Sequence, residues 1–241
     1  MSWEYPIETD GLLHLGRRSD ATPTRRRAPT AADIVVVPRM RAVYSVLMTQ
    51  VHDDLVVSRP LSNGPVSYTL GSRLGAMLSE IEQLYGPRDS SWTILGYEFF
   101  DAVPHIWFPG NCGHVLIRLG TSALEYPVRA YYQLAHECVH LLDPSTQANV
   151  LEEGLAAKYA IGYARKIDPL YQSDDPKYDA AERLASRLLQ LAPDAVRNLR
   201  SRHVKLWAVG ANDLKKECHA LLDADAVELA KPFSSWTPVP V

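Results

Sequence analysis

Cysteine is scarce, with Cys112, Cys138 and Cys218 the only three in 241 residues. So sparse and odd a set is no disulfide framework and favours a reducing compartment. No run approaches 18 apolar residues, which speaks against a membrane span. Residues 1–30 lack the basic start and apolar stretch of a signal peptide, so a cytoplasmic protein is expected. Positive charge is not in excess: 25 Lys+Arg against 28 Asp+Glu leave a net charge of −3. That argues against a nucleic-acid partner. The basic cluster Arg17, Arg18 and Arg25–Arg27 reads as a solvated arm. No internal repeat or low-complexity segment is evident. What remains is ordinary globular composition, 46% hydrophobic and 22% charged, on a chain long enough to bury a sizeable core.

Periodicity divides the chain into an irregular arm over 1–32, a mixed region over 33–166 and a helical region over 167–241 that packs on it. Strands are expected over 33–37 and 54–58, with a helix over 39–51 between them and a turn at 62–65. Residues 71–85 carry Leu74, Leu78, Ile81 and Leu84 at helical spacing, and Gly86-Pro87 stops that helix. Strands then fit 92–100, 105–108 and 114–119, the last two joined by a hairpin loop at Pro109–Gly113. Pro104 and Pro109 bracket the middle strand, and proline cannot donate to a ladder, so that strand belongs at an edge. Long helices follow over 125–142 and 150–166, with Pro127 in the first turn of one and Asp143-Pro144 ending it. Further helices fit 175–191, 193–203 and 212–230. The fold class expected is α+β.

One motif carries chemistry: His136-Glu137-Cys138-Val139-His140, the pattern H-E-x-x-H. Residues i and i+4 lie one above the other on a helix face, so both imidazoles can share one metal ion. Glu137 can then reach a water held on zinc, whose pKa falls toward ~7. The pentapeptide alone is a weak signal. Here it sits within a predicted helix whose neighbours Tyr132, Leu134, Ala135, Val139, Leu141 and Leu142 are apolar enough to bury it. A third ligand is available downstream in Leu151-Glu152-Glu153-Gly154-Leu155-Ala156. Twelve residues separate His140 from Glu153, enough to end one helix and present a carboxylate from the first turn of the next. Glu152 and Glu153 point about 100° apart, so one can ligate while the other meets solvent or orients a histidine. Gly154, Ala156, Ala157 and Ala160 let the two helices approach closely.

His136–His140 followed by Glu153-Gly154-Leu155-Ala156 resembles the gluzincins, zinc metallopeptidases such as thermolysin and the zinc aminopeptidases. In the aminopeptidases the glutamate of a Glu-Gly-aromatic-Ala segment binds zinc. The resemblance places that role on Glu153 and implies a zincin-like core over residues 71–166: a small mixed sheet packed on an active-site helix and a glutamate helix. It implies a zinc-dependent peptidase acting on a peptide or protein substrate, with His136, His140 and Glu153 as metal ligands and Glu137 as general base. It also implies that the edge strand over 102–108, with His105 and Trp107, pairs with an extended substrate. The spacing to the glutamate is shorter than in those relatives, and the Gly-Ala-Met-Glu-Asn segment of aminopeptidases is missing.

An oxyanion donor is expected among Tyr159, Tyr163, Tyr171 and His203. Cys138 projects about 200° from His136 and reads as a buried filler. Cys218-His219 are adjacent and unsuited to one ion, His52 reads as a helix-end residue, and His105 and His114 have structural readings too. A competing function is a catalytically idle or regulatory protein on the same scaffold that binds a partner or peptide. A third is a helical interaction protein with an accidental motif.

Overall fold

The computed structural model describes Leu55, residues 69–202 and residues 205–238. The arm over 1–32, the elements expected over 33–51, the turn at 62–65, His52 and His203 lie outside the described residues. Leu55 is helical and fully buried, against the strand expected over 54–58. The described residues belong to one compact unit. They form a mixed α+β fold with seven α-helices and a three-stranded sheet. No helix among them is long and apolar enough to cross a membrane.

Helix α1 spans Leu70–Tyr85. The Thr69 hydroxyl caps it by accepting from the Ser72 N–H, satisfying one otherwise orphaned donor. Gly86 ends it at φ +93°, a left-handed conformation that a side chain would strain. The buried stripe is Leu70, Leu74, Met77, Ile81 and Tyr85. Leu84, expected on that stripe, is instead 45% exposed, because the helix turns Met77 and Tyr85 inward.

The strands are β1 (Thr93–Phe100), β2 (His105–Trp107) and β3 (His114–Gly120), in the order β1-β3-β2. β3 is central, parallel to β1 and antiparallel to β2. Among the described residues β2 therefore lies at an edge, which suits its flanking prolines. Val115, Ile117 and Leu119 of β3 are fully buried while His114, Leu116 and Arg118 alternate onto the other face. A bulge interrupts the register between Ile94 and Tyr97, where Gly96 takes φ +122°.

A 3-10 turn at Thr121–Leu124 precedes α2 (Pro127–His140), so this helix is shorter at both ends than 125–142. Pro127 occupies its first turn. Helix α3 is Val150–Arg165, capped by the Asn149 side chain on the Glu152 N–H at 2.9 Å. Then come α4 (Pro176–Leu191) and α5 (Ala195–Ser201), followed by α6 (Ala211–Glu217) and α7 (Asp223–Leu229). The single helix expected over 212–230 is thus two. Cys218 breaks it with extended backbone, φ −137° and ψ 88°, and the two short helices fold together to bury Leu214, Cys218, Leu221, Ala226 and Leu229. Asp223 and Asp225 suit the positive end of the second helix.

Two contacts fix the helices that carry the candidate site. Gly154 of α3 lies so close to α4 that a Cβ there would stand 2.8 Å from the Ala181 carbonyl carbon and 2.9 Å from the Ala185 Cβ. The turn after α2 is clamped by Arg200 of α5, buried with Asp143. Its guanidinium meets the Asp143 carboxylate at 3.0 Å and also donates to the carbonyls of Tyr85, Gly86, Pro87 and Leu142. Lys205 bridges Asp143 to Asp89 at 3.3 and 2.8 Å. Bonds from Lys205 and Ser91 hold the Asp89 carboxyl well below the usual carboxylate range.

Gly154→Ala is expected to overpack the α3–α4 contact and destabilise by at least ~2 kcal/mol, read by denaturant unfolding. Asp89→Asn should lower the melting temperature at pH 7. A carboxyl held low in the folded state stabilises above its unfolded pKa and loses that stabilisation as pH falls through its folded value. The melting-temperature gap to wild type should therefore shrink steadily below about pH 4.

Candidate metal centre

His136, Glu137 and His140 occupy the last two turns of α2, and Glu152 and Glu153 the first turn of α3. All five are buried, between 2% and 8% exposed. Carboxylates at a helix N-terminus are favoured by its positive end, which eases two adjacent acids in so dry a place.

Three ligand atoms converge. The His136 Nε2 lies 3.1 Å from the Glu153 Oε2, the His140 Nε2 lies 3.4 Å from the His136 Nε2, and the His140 Nε2 lies 3.6 Å from the Glu153 Oε2. A tetrahedral zinc with bonds of 2.0–2.1 Å would separate its ligand atoms by about 3.3 Å. The triangle brackets that value, so an ion fits among the three with little movement. Two imidazole nitrogens and a carboxylate oxygen are all electron-pair donors when deprotonated, and burying them face to face is costly unless a cation joins them. The donor set, two nitrogens and one oxygen, suits zinc. This is the only such group of three found among the described residues.

The neighbours of the triangle set its charge. Glu152 is not the third corner. Its Oε1 accepts from His140 Nδ1 at 2.8 Å, on the far side of the ring from Glu153. Desolvation works against the His140 cation, but the carboxylates of Glu153 and Glu152 outweigh it and raise its pKa well above the ordinary value. Desolvation also opposes the Glu153 anion, and both histidines outweigh it and hold that carboxyl low. Glu137 is pushed up by burial and drawn back by His136, His140 and His105. Burial likewise pushes the Cys138 thiol up, in keeping with an inert filler.

The structure places the other sequence-derived candidates as follows. His105 lies on β2 with its Nδ1 2.8 Å from the Val103 carbonyl, near enough to Glu137 to favour its anion. Trp107 stacks under the Arg118 guanidinium at 3.8 Å on the open sheet face. Tyr159 and Tyr163 are not brought to the triangle. They lie about 9 and 15 Å further along α3 and face α1, where Tyr159 donates to Glu80 at 3.0 Å and Tyr163 accepts from Arg73 at 2.9 Å. Tyr171 stacks on Tyr132 at 5.3 Å, one ring removed from His136. Cys218 is buried while His219 is exposed, so the two do not share a site.

Tyr178 of α4, not singled out from the sequence, meets the His136 ring edge-on at 5.3 Å and packs on Phe233. Nothing in its local sequence marks it, since it arrives only through the α3–α4 contact at Gly154. Comparison of the chain with protein-family models, curated proteins and solved structures finds no match.

Added zinc is expected to bind near one ion per chain and raise the melting temperature. His140→Ala should abolish both effects. Because the histidines must shed protons to ligate, the affinity should fall as pH is lowered from 8 to 6. Calorimetric titration of the metal-stripped protein reads the stoichiometry and the affinity, and thermal unfolding reads the melting-temperature shift.

Proposed function

We propose that this chain is a zinc-dependent peptidase with a gluzincin-like centre on a zincin-like core. The observation that carries the reading is the buried triangle of His136, His140 and Glu153 with edges of 3.1–3.6 Å, next in sequence to a carboxylate that is not part of it. A scaffold role does not require Glu137, whereas hydrolysis does. The order α1, three strands with β2 at the edge, α2 and α3 is also that expected of such a core.

Bound zinc would supply a Lewis acid for the scissile carbonyl and lower the pKa of a water toward ~7. Glu137 is the residue that would serve as general base and pass a proton to the leaving nitrogen. His136 and His140 would hold the ion through their Nε2 atoms, with Glu153 completing the set and offsetting part of the charge. Among the described residues no strand pairs with the outer edge of β2, against which an extended peptide can add as a strand. α2 touches both β2 and β3, and His105 of β2 lies near enough to Glu137 to favour its anion.

Glu137→Gln should keep its zinc and lose about 10²–10⁴-fold in hydrolysis of a peptide library. Full activity in this variant would overturn the mechanism. Zinc binding by wild type with no cleavage of any library peptide would instead favour the idle-scaffold reading.

A further inference from the structure

Glu152 is the least exposed polar side chain of the centre, at 2%, yet it is not a corner of the triangle. A residue buried there for packing alone would be apolar, as Val150, Leu151 and Leu155 around it are. A second carboxylate one residue from Glu153 is costly, because each anion disfavours the other. Three features show what it does. Its Oε1 lies 2.8 Å from the His140 Nδ1. Its backbone is pinned by the Asn149 cap at 2.9 Å. And Asn149 is itself held by the Leu206 carbonyl at 2.7 Å, so the carboxylate is delivered by a rigid chain of contacts.

Resting on the zinc reading above, we propose that Glu152 is the positioning residue for His140. Its carboxylate accepts the Nδ1 proton and so fixes the tautomer whose Nε2 lone pair faces the ion. An imidazole bearing its proton on Nε2 would turn a donor toward the site and could not ligate. Adjacent glutamates thus grip one imidazole from opposite sides: Glu152 bonds its Nδ1 and Glu153 would share its ion. The 100° between successive helix residues is what allows both contacts. His136 has no counterpart, since its Nδ1 is buried without a hydrogen-bond partner among the described residues. The two ligands are therefore unequal, and His140 is the one pre-set for the metal.

The test is zinc affinity by chelator competition on metal-stripped wild type, Glu152→Ala and Glu152→Gln, with the His140 ring followed by nitrogen NMR. Removing an outer-shell partner of a metal histidine weakens binding about 10–100-fold. That loss is expected for Glu152→Ala, together with a mixture of His140 tautomers in the metal-free protein at a pH where the ring is neutral. Glu152→Gln keeps an acceptor oxygen but loses the charge, so it should hold the Nδ1–H tautomer and lose only about 3–10-fold, charge-assisted bonds being roughly twice as strong as neutral ones. If Glu152→Ala fails to fold, the Gln variant alone decides. Zinc affinity and tautomer unchanged in the folded variants, with wild type binding zinc, would overturn the positioning role and leave the metal centre standing. No zinc binding by wild type would overturn both.

Discussion

Three electron-pair donors held within 3.6 Å of one another, shielded from water, are the condition that the surrounding structure has to meet. With both imidazoles deprotonated they oppose each other, and the packing around them keeps them together. Gly154 lets α3 press into α4, so that the first turn of α3 stands opposite the last two turns of α2. The Arg200–Asp143 pair holds the turn that reverses the chain between those helices. Both partners are buried, so the pair adds less to net stability than its geometry suggests. Its effect is to specify one path for the chain leaving His140.

The aromatic rings around His136 serve the same end. Tyr132 lies to one side and Tyr178 edge-on at another, and Phe233 and Trp236 continue the array from Tyr178. Rings bury large area with few rotamers, so they fix the imidazole with little loss of side-chain entropy. Lys177 over Phe233 at 4.3 Å closes that wall.

Local pattern made part of this legible before any coordinates. The strands over 93–100, 105–107 and 114–120 announced themselves by alternation and by the prolines at 104 and 109. His136 and His140 were visible because four residues make one helical turn. The choice between Glu152 and Glu153 did not follow from spacing, since either could reach. It depends on the rotation of α3 about its axis, which the distant contacts of Gly154 and Asn149 set. Tyr178 was invisible for the same reason. The tyrosines at 159 and 163 misled, because helical proximity to Glu153 in sequence puts them one to three turns away in space. The break at Cys218 was hidden by a sequence whose apolar spacing is helical on both sides of it.

The start of α3 is tied to segments far downstream of it. The Val150 N–H donates to the Lys231 carbonyl at 3.0 Å, the Phe233 N–H to the Ala148 carbonyl at 2.9 Å, and Asn149 reaches back to Leu206. On a ribosome, residues 136–153 emerge long before these partners exist. Two backbone bonds of the loop that presents both glutamates wait until residues 231–233 leave the exit tunnel. The centre therefore closes fully only after residues 231–233 have been made, and a nascent chain short of them carries the motif without those ties.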